Sequence, residues 1–135
     1  MSYVVITGAS AGIGECFARA LAAEKQNLIL VARREERLNA LAAELKKQHG
    51  IEAIVLKADL ADQTGADALA RRINEGGWSL AGLINNAGLA LGVEPADRCS
   101  LDKWEDMVDT NVKGLLYVTH ALLPGLVPLG RSLGR

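Results

Sequence analysis

The chain has 135 residues, half of them apolar and 23 % charged, with a formal net charge of −1. That length is enough for one domain with its own core and too short for two ordinary ones. The mixed signs exclude a basic nucleic-acid face and an acidic solvating tail, and no apolar run is long enough to span a bilayer.

In chain order, residues 4–7 form a short β-rich apolar run, and TGASAGIG spans residues 7–14. Residues 13–24 have helical spacing, with Ile13, Phe17 and Leu21 on one face. Residues 28–31 read as a second buried strand. Residues 35–48 read as a helix with the stripe Leu38, Leu41, Ala42 and Leu45, and Gly50 sits where a C-terminal cap glycine belongs. Residues 53–56 form a third strand. Asp62 caps a helix whose apolar face includes Ala66, Leu69, Ala70 and Ile73, closed by Gly76 and Gly77. Residues 80–85 form a fourth strand. Residues 89–98, with Gly92 and Pro95, read as a loop at its C-terminal end. Ser100 caps the last helix, with Trp104, Met107, Val108 and Leu115 inward; Pro124 and Gly125 end it after Leu123, and residues 124–135 read as an irregular tail.

Strand and helix alternate four times, and the strands lack polar alternation. This pattern predicts an α/β fold with a parallel sheet covered by helices on both faces and right-handed crossovers. No linker or repeat divides the chain. Cys16 and Cys99 are far apart, and His49 and His120 are isolated, so neither a disulfide framework nor a metal site is expected. No targeting segment is visible, and a cytoplasmic setting follows by elimination.

The glycine run carries the chemistry. Gly8, Gly12 and Gly14 follow a strand and open a helix, where the chain must turn sharply and let backbone approach a phosphate. The helix N-terminus offers free N–H groups and a positive dipole end, and Ser10 can add a hydroxyl. No GxxxxGK[ST] loop is present, so a dinucleotide fits better than a nucleoside triphosphate. The second strand ends LILVARR. Sites for NAD place a carboxylate there, whereas here Arg33 stands at the expected position and can pair with a 2′-phosphate, which favours NADP over NAD.

TGASAGIG, ADL at residues 58–60, NNAG at 85–88 and TNVKG at 110–114, in this order and spacing, resemble the short-chain dehydrogenase/reductase family. The resemblance implies an incomplete Rossmann-like doubly wound sheet of four strands, order 3-2-1-4, in a dinucleotide-binding domain over residues 1–123. It implies that Gly8, Ser10, Ala11, Gly12, Ile13 and Gly14 hold the pyrophosphate of NADP(H) and that Arg33 meets the adenosine 2′-phosphate. Asp59 and Leu60 would lie beside adenine, and Asn86, Ala87 and Gly88 beside the cofactor ribose. Asn85 would tie strand four to its neighbours. Asn111 would be the catalytic asparagine, in a helix distortion that exposes a carbonyl to a water of the proton relay.

The same family needs a serine after strand five and a tyrosine followed four residues later by lysine, so that the lysine lowers the tyrosine pKa for proton exchange with a small carbonyl or alcohol substrate. Four residues after Tyr3 stands Thr7, and four after Tyr117 stands Ala121. The expectation is an NADP-dependent oxidoreductase lineage truncated before its general acid, the alternative a non-catalytic NADP-binding half-domain or an inert fragment. A methyltransferase of similar layout would want an acid after strand two and has no reason for NNAG. An open edge at strand four and a partly bare last helix predict homo-oligomers or aggregation.

Overall fold

The computed structural model describes residues 2–10, 12–86 and 100–132, except the side chains of Trp104, Met107, Asp109, Thr110 and residues 127–132. The strands are β1 (Ser2–Thr7), β2 (Asn27–Ala32), β3 (Ala53–Lys57) and β4 (Ser79–Ile84). The helices are α1 (Gly12–Ala23), α2 (Glu35–His49), α3 (Gln63–Gly76), α4 (Leu101–Val108) and α5 (Gly114–Ser132), with a π turn at Asp109–Lys113 between the last two.

The strands form one parallel sheet in the order β3-β2-β1-β4. Consecutive strand residues feed opposite faces, which is why the strands read as unbroken apolar runs. Ile6, Leu28 and Leu30 pack with Ala18, Ala22, Leu38, Leu41 and Leu45 of α1 and α2. Val5, Ile29 and Val31 pack with Ala66, Leu69 and Ile73 of α3 and with Val118 and Leu122 of α5. The sheet is therefore doubly wound. The chain runs outward from β1 to β3, then crosses back to place β4 on the other side of β1. In that last pair Tyr3 faces Leu80 and Val4 faces Gly82, so Ala81 is an extra residue in β4.

The capping signals act as read. Asp62 accepts from Gly65 N–H at 2.8 Å, Ser100 Oγ accepts from Lys103 N–H at 3.3 Å, and Gly50 and Gly77 close α2 and α3 in the left-handed region. All four residues of the α2 stripe are buried.

Three expectations are corrected. First, the face of α1 marked by Ile13 and Phe17 is not the buried one: Ile13 is 68 % exposed and Phe17 42 % exposed, with only Leu21 packed against the core. The buried side is Gly14, Ala18 and Ala22, because α1 approaches the sheet too closely for larger side chains. Second, the stripe expected to face inward on the last helix does not. The π turn rotates the helix face after Val108, and Val108 and Leu115 are exposed, while Val118 and Leu122 are buried. Trp104 and Met107, expected inward, lie outside the described side chains. Third, α5 does not end at Leu123 but continues through Pro124 to Ser132 in place of the irregular tail. Proline removes one backbone donor, but buried Leu122 and core-packed Leu126 hold the helix on the sheet. Gly125 lies so close to β4 that an added Cβ would reach Leu80 Cδ1 at 3.5 Å.

Candidate functional site

The residues singled out by their motifs gather at the C-terminal edge of the sheet. Gly8 and Ser10 follow β1, Arg33 follows β2, Asp59 and Leu60 follow β3, and Asn86 follows β4. Strand order sets them in a row, Asp59, Arg33, Gly8, Asn86, about 14 Å long at the usual strand spacing. The loop at residues 89–98, with Ala11, Ala87, Gly88 and Cys99, lies outside the described residues.

Backbone bonds lace this edge beyond the strands themselves. Ala58 N–H donates to Ala32 O at 3.1 Å, joining the ends of β3 and β2, and Ala9 N–H donates to Val31 O at 3.3 Å, joining the β1 loop to β2. The seam between β1 and β4 is built from side chains. Thr7, 1 % exposed, accepts from Asn86 N–H at 2.9 Å and donates to Ile84 O at 3.3 Å. Asn86 Nδ2 donates to Gly8 O at 3.1 Å. This seam is the point where the strand order reverses, which in open parallel sheets opens a crevice for ligands.

The glycine loop has the geometry its spacing demands. Gly8 (φ 64°) and Gly12 (φ 61°) are both left-handed. Gly14 serves a different need: a Cβ there would collide with Gly8 O and lie 2.5 Å from Asn86 Nδ2. At Gly14, therefore, the cradle formed by this loop and the start of α1 has no room for a side chain, and α1 starts there with the N–H groups of its first turn. Glu15 in that turn is an adverse charge for a phosphate, but its Oε1 is paired with Arg19 Nη2 at 3.2 Å, one turn further along. Ile13 is exposed beside the loop, and Ser10 is half-buried.

Arg33 is exposed just beyond β2 and has no acid partner among the described residues. Asp59 is exposed, with Oδ1 accepting from Ala61 N–H at 3.0 Å; Leu60 is buried in the core between β3 and α3, so only its backbone borders the edge. Asn111 is exposed at the centre of the π turn, where helix widening breaks the regular i→i−4 ladder. Asn85 ties the end of β4 to a neighbouring helix, as expected: its Nδ2 donates to Thr119 Oγ1 of α5 at 2.9 Å. No motif singles out Thr7, although a polar residue closing a buried apolar strand is a signal that its hydroxyl has a partner.

Gly14, Asn86 and the row of strand ends bring to one edge a tight backbone cradle, a helix N-terminus and an exposed arginine, groups of the kind that hold phosphates. Among the described residues no group of three or more potential metal ligands exists, and no helix is long and apolar enough to cross a membrane. The architecture is Rossmann-like. The short chain dehydrogenase model matches residues 2–135, and the chain belongs to that family.

Individual relatives agree. The NADP-dependent 3-hydroxy acid dehydrogenase YdfG of Salmonella typhi is 41 % identical over 129 residues, 96 % of this chain and 50 % of that protein. Sulfoacetaldehyde reductase 2 of Chromohalobacter salexigens is 43 % identical over 127 residues, 94 % of this chain and 50 % of that one. The crystal structure of an alcohol dehydrogenase from the archaeon Thermococcus sibiricus, complexed with 5-hydroxy-NADP, superposes with a TM-score of 0.88 at 32 % identity, covering 93 % of this chain and 53 % of the other. The chain spans about half the length of the curated relatives it matches.

Proposed function

We propose that this chain is the NADP(H)-binding part of an oxidoreductase that moves hydride between the nicotinamide and the carbon of a carbonyl or secondary alcohol. The observation that carries the reading is the row of laced strand ends with a cradle at Gly14 closed to any side chain. In this reading, the N–H groups of Gly8, Ser10, Ala11, Gly12, Ile13 and Gly14 bind the pyrophosphate. Arg33 pairs with the 2′-phosphate, which selects NADP over NAD. Asp59 and the Leu60 backbone flank adenine, and Asn86, Ala87 and Gly88 flank the ribose. Bound NADPH supplies the hydride. Asn111 sits where the widened helix can present a carbonyl to a water that carries protons.

The reading stops short of turnover by these residues alone. Tyr3 is buried and packs edge-on against Trp78 with ring centroids 6.4 Å apart, and neither it nor Tyr117 has a lysine four residues on. This favours a non-catalytic NADP-binding role for the chain as it stands. A cytoplasmic setting and self-association through the edge of β4 and exposed α5 residues belong to the same proposal.

Titration of NADPH by fluorescence tests the cofactor reading: saturable binding supports it, and its absence overturns it. NADPH oxidation with a panel of ketones tests the second part. Turnover by this chain, surviving controls for contaminating reductase, would overturn the catalytically incomplete reading.

A further inference from the structure

Asn85 and Thr119 are 34 residues apart in sequence and joined by one hydrogen bond, Nδ2 to Oγ1 at 2.9 Å. The Thr119 hydroxyl is itself committed: it donates to Leu115 O at 2.7 Å, one turn back in α5. With its proton spent there, the oxygen can only accept, so it dictates that the amide nitrogen of Asn85 faces the helix. Thr119 is also a fixed point. Its side chain is β-branched and stiff, and its neighbours on the helix, Val118 and Leu122, are buried in the core. Leu115 lies in the first turn of α5, which follows the π turn, while Asn85 directly precedes Asn86, whose amide holds Gly8. The path therefore runs from the start of α5 through the end of β4 to the glycine loop.

We infer that Thr119 is a positioning residue for the nicotinamide side of the crevice, acting through Asn85. The inference rests on the cofactor reading above. It separates the 2′-phosphate and adenine from the rest of the ligand, because Arg33 and Asp59, the groups assigned to them, follow β2 and β3 and share none of these bonds.

The test compares NADPH with adenosine 2′-monophosphate, the half-ligand without nicotinamide or pyrophosphate, on the full chain. Thr119→Val keeps the shape of the side chain and removes the acceptor. It should weaken NADPH about fivefold, the effect of losing one neutral hydrogen bond, and leave the half-ligand unchanged. Thr119→Ser restores the hydroxyl and should restore NADPH affinity. Asn85→Leu removes the donor while keeping the bulk, should reproduce the split, and carries the test where Thr119→Val does not fold. Equal loss of both ligands, unchanged NADPH affinity, or failure of Thr119→Ser to rescue would overturn the inference. An unaltered chain that binds the half-ligand but not NADPH also overturns it, whereas one that binds neither overturns the cofactor reading first and the inference with it.

Discussion

Asn86 Nδ2 and the Gly8 carbonyl meet at 3.1 Å, and the α-carbon of Gly14 lies against both. One bond between residues 78 apart thereby fixes the glycine loop to the end of β4. Gly14→Ala must push both the Gly8 carbonyl and the Asn86 amide away. Since the carbonyl is backbone, the loop moves. We expect a loss of about 1–3 kcal/mol of stability in urea titrations and at least a tenfold loss of NADPH affinity. A Gly14→Ala protein with unaltered affinity would show that the cradle is not where phosphate binds.

Arg33 is exposed, so its removal costs the fold little. Arg33→Ala should weaken NADPH by about 10–100-fold, the range of a charge-assisted bond to phosphate, and leave NADH affinity nearly unchanged. The difference between the two ligands should shrink as salt rises, because an exposed pair is screened. Equal losses for both would assign Arg33 a general electrostatic role instead.

Thr7 makes two bonds across the end of the β1–β4 seam with a single hydroxyl. Thr7→Val conserves volume and strands the Asn86 N–H and the Ile84 carbonyl. A cost of about 1–3 kcal/mol in denaturant unfolding is expected, the usual penalty for leaving a buried polar group unpaired. A loss of under about 0.5 kcal/mol would mean that the seam relaxes and finds other partners.

Arg19 Nη2 joins α1 to α2 by bonding Glu44 Oε2 at 2.9 Å. That hydrogen bond, more than simple charge proximity, holds the Glu44 carboxyl below the ordinary glutamate range and raises the guanidinium pKa. Because the folded pKa is the lower one, the pair's contribution is complete above the unfolded glutamate value and is lost as pH falls through the folded value. Both groups are solvent-exposed, so the effect is small and salt-sensitive. An NMR titration of the Glu44 carboxyl reads it directly, and Glu44→Gln should flatten the acid limb of the stability profile.

Val112, Leu116 and Leu123 expose apolar surface along the π turn and α5, and β4 ends the sheet on one side. Sedimentation should therefore depend on concentration, and Leu116→Lys should reduce association while leaving the unfolding transition of the monomer in place. A monomer at all concentrations would remove self-association from the proposal.

Much of this molecule was legible in its residues. The stripe Leu38, Leu41, Ala42 and Leu45 gave the buried side of α2, and Asp62, Ser100, Gly50 and Gly77 marked helix ends, because caps and amphipathic spacing are local physics. Where tertiary contact overrides local preference the reading failed. On α1 the large residues Ile13 and Phe17 suggested the buried face, yet close helix–sheet approach selects Gly14, Ala18 and Ala22 instead. At Pro124 the helix breaker lost to the packing of Leu122 and Leu126. The π turn has no periodic signature, and only the resemblance around Asn111 pointed to a distortion. The seam at Thr7 needed two strands that are distant in sequence to be seen together.

The pairing of β1 with β4 has a kinetic consequence. Thr7 meets Val31 across 24 positions but Ile84 across 77, and closing the longer loop costs about 1 kcal/mol more entropy. Docking of β4 is thus the later event on the way to the native sheet, and the crevice does not exist before it. A nucleotide that needs both walls can slow unfolding by mass action, but it has nothing to hold while the chain is still collapsing, so refolding rates should be indifferent to it.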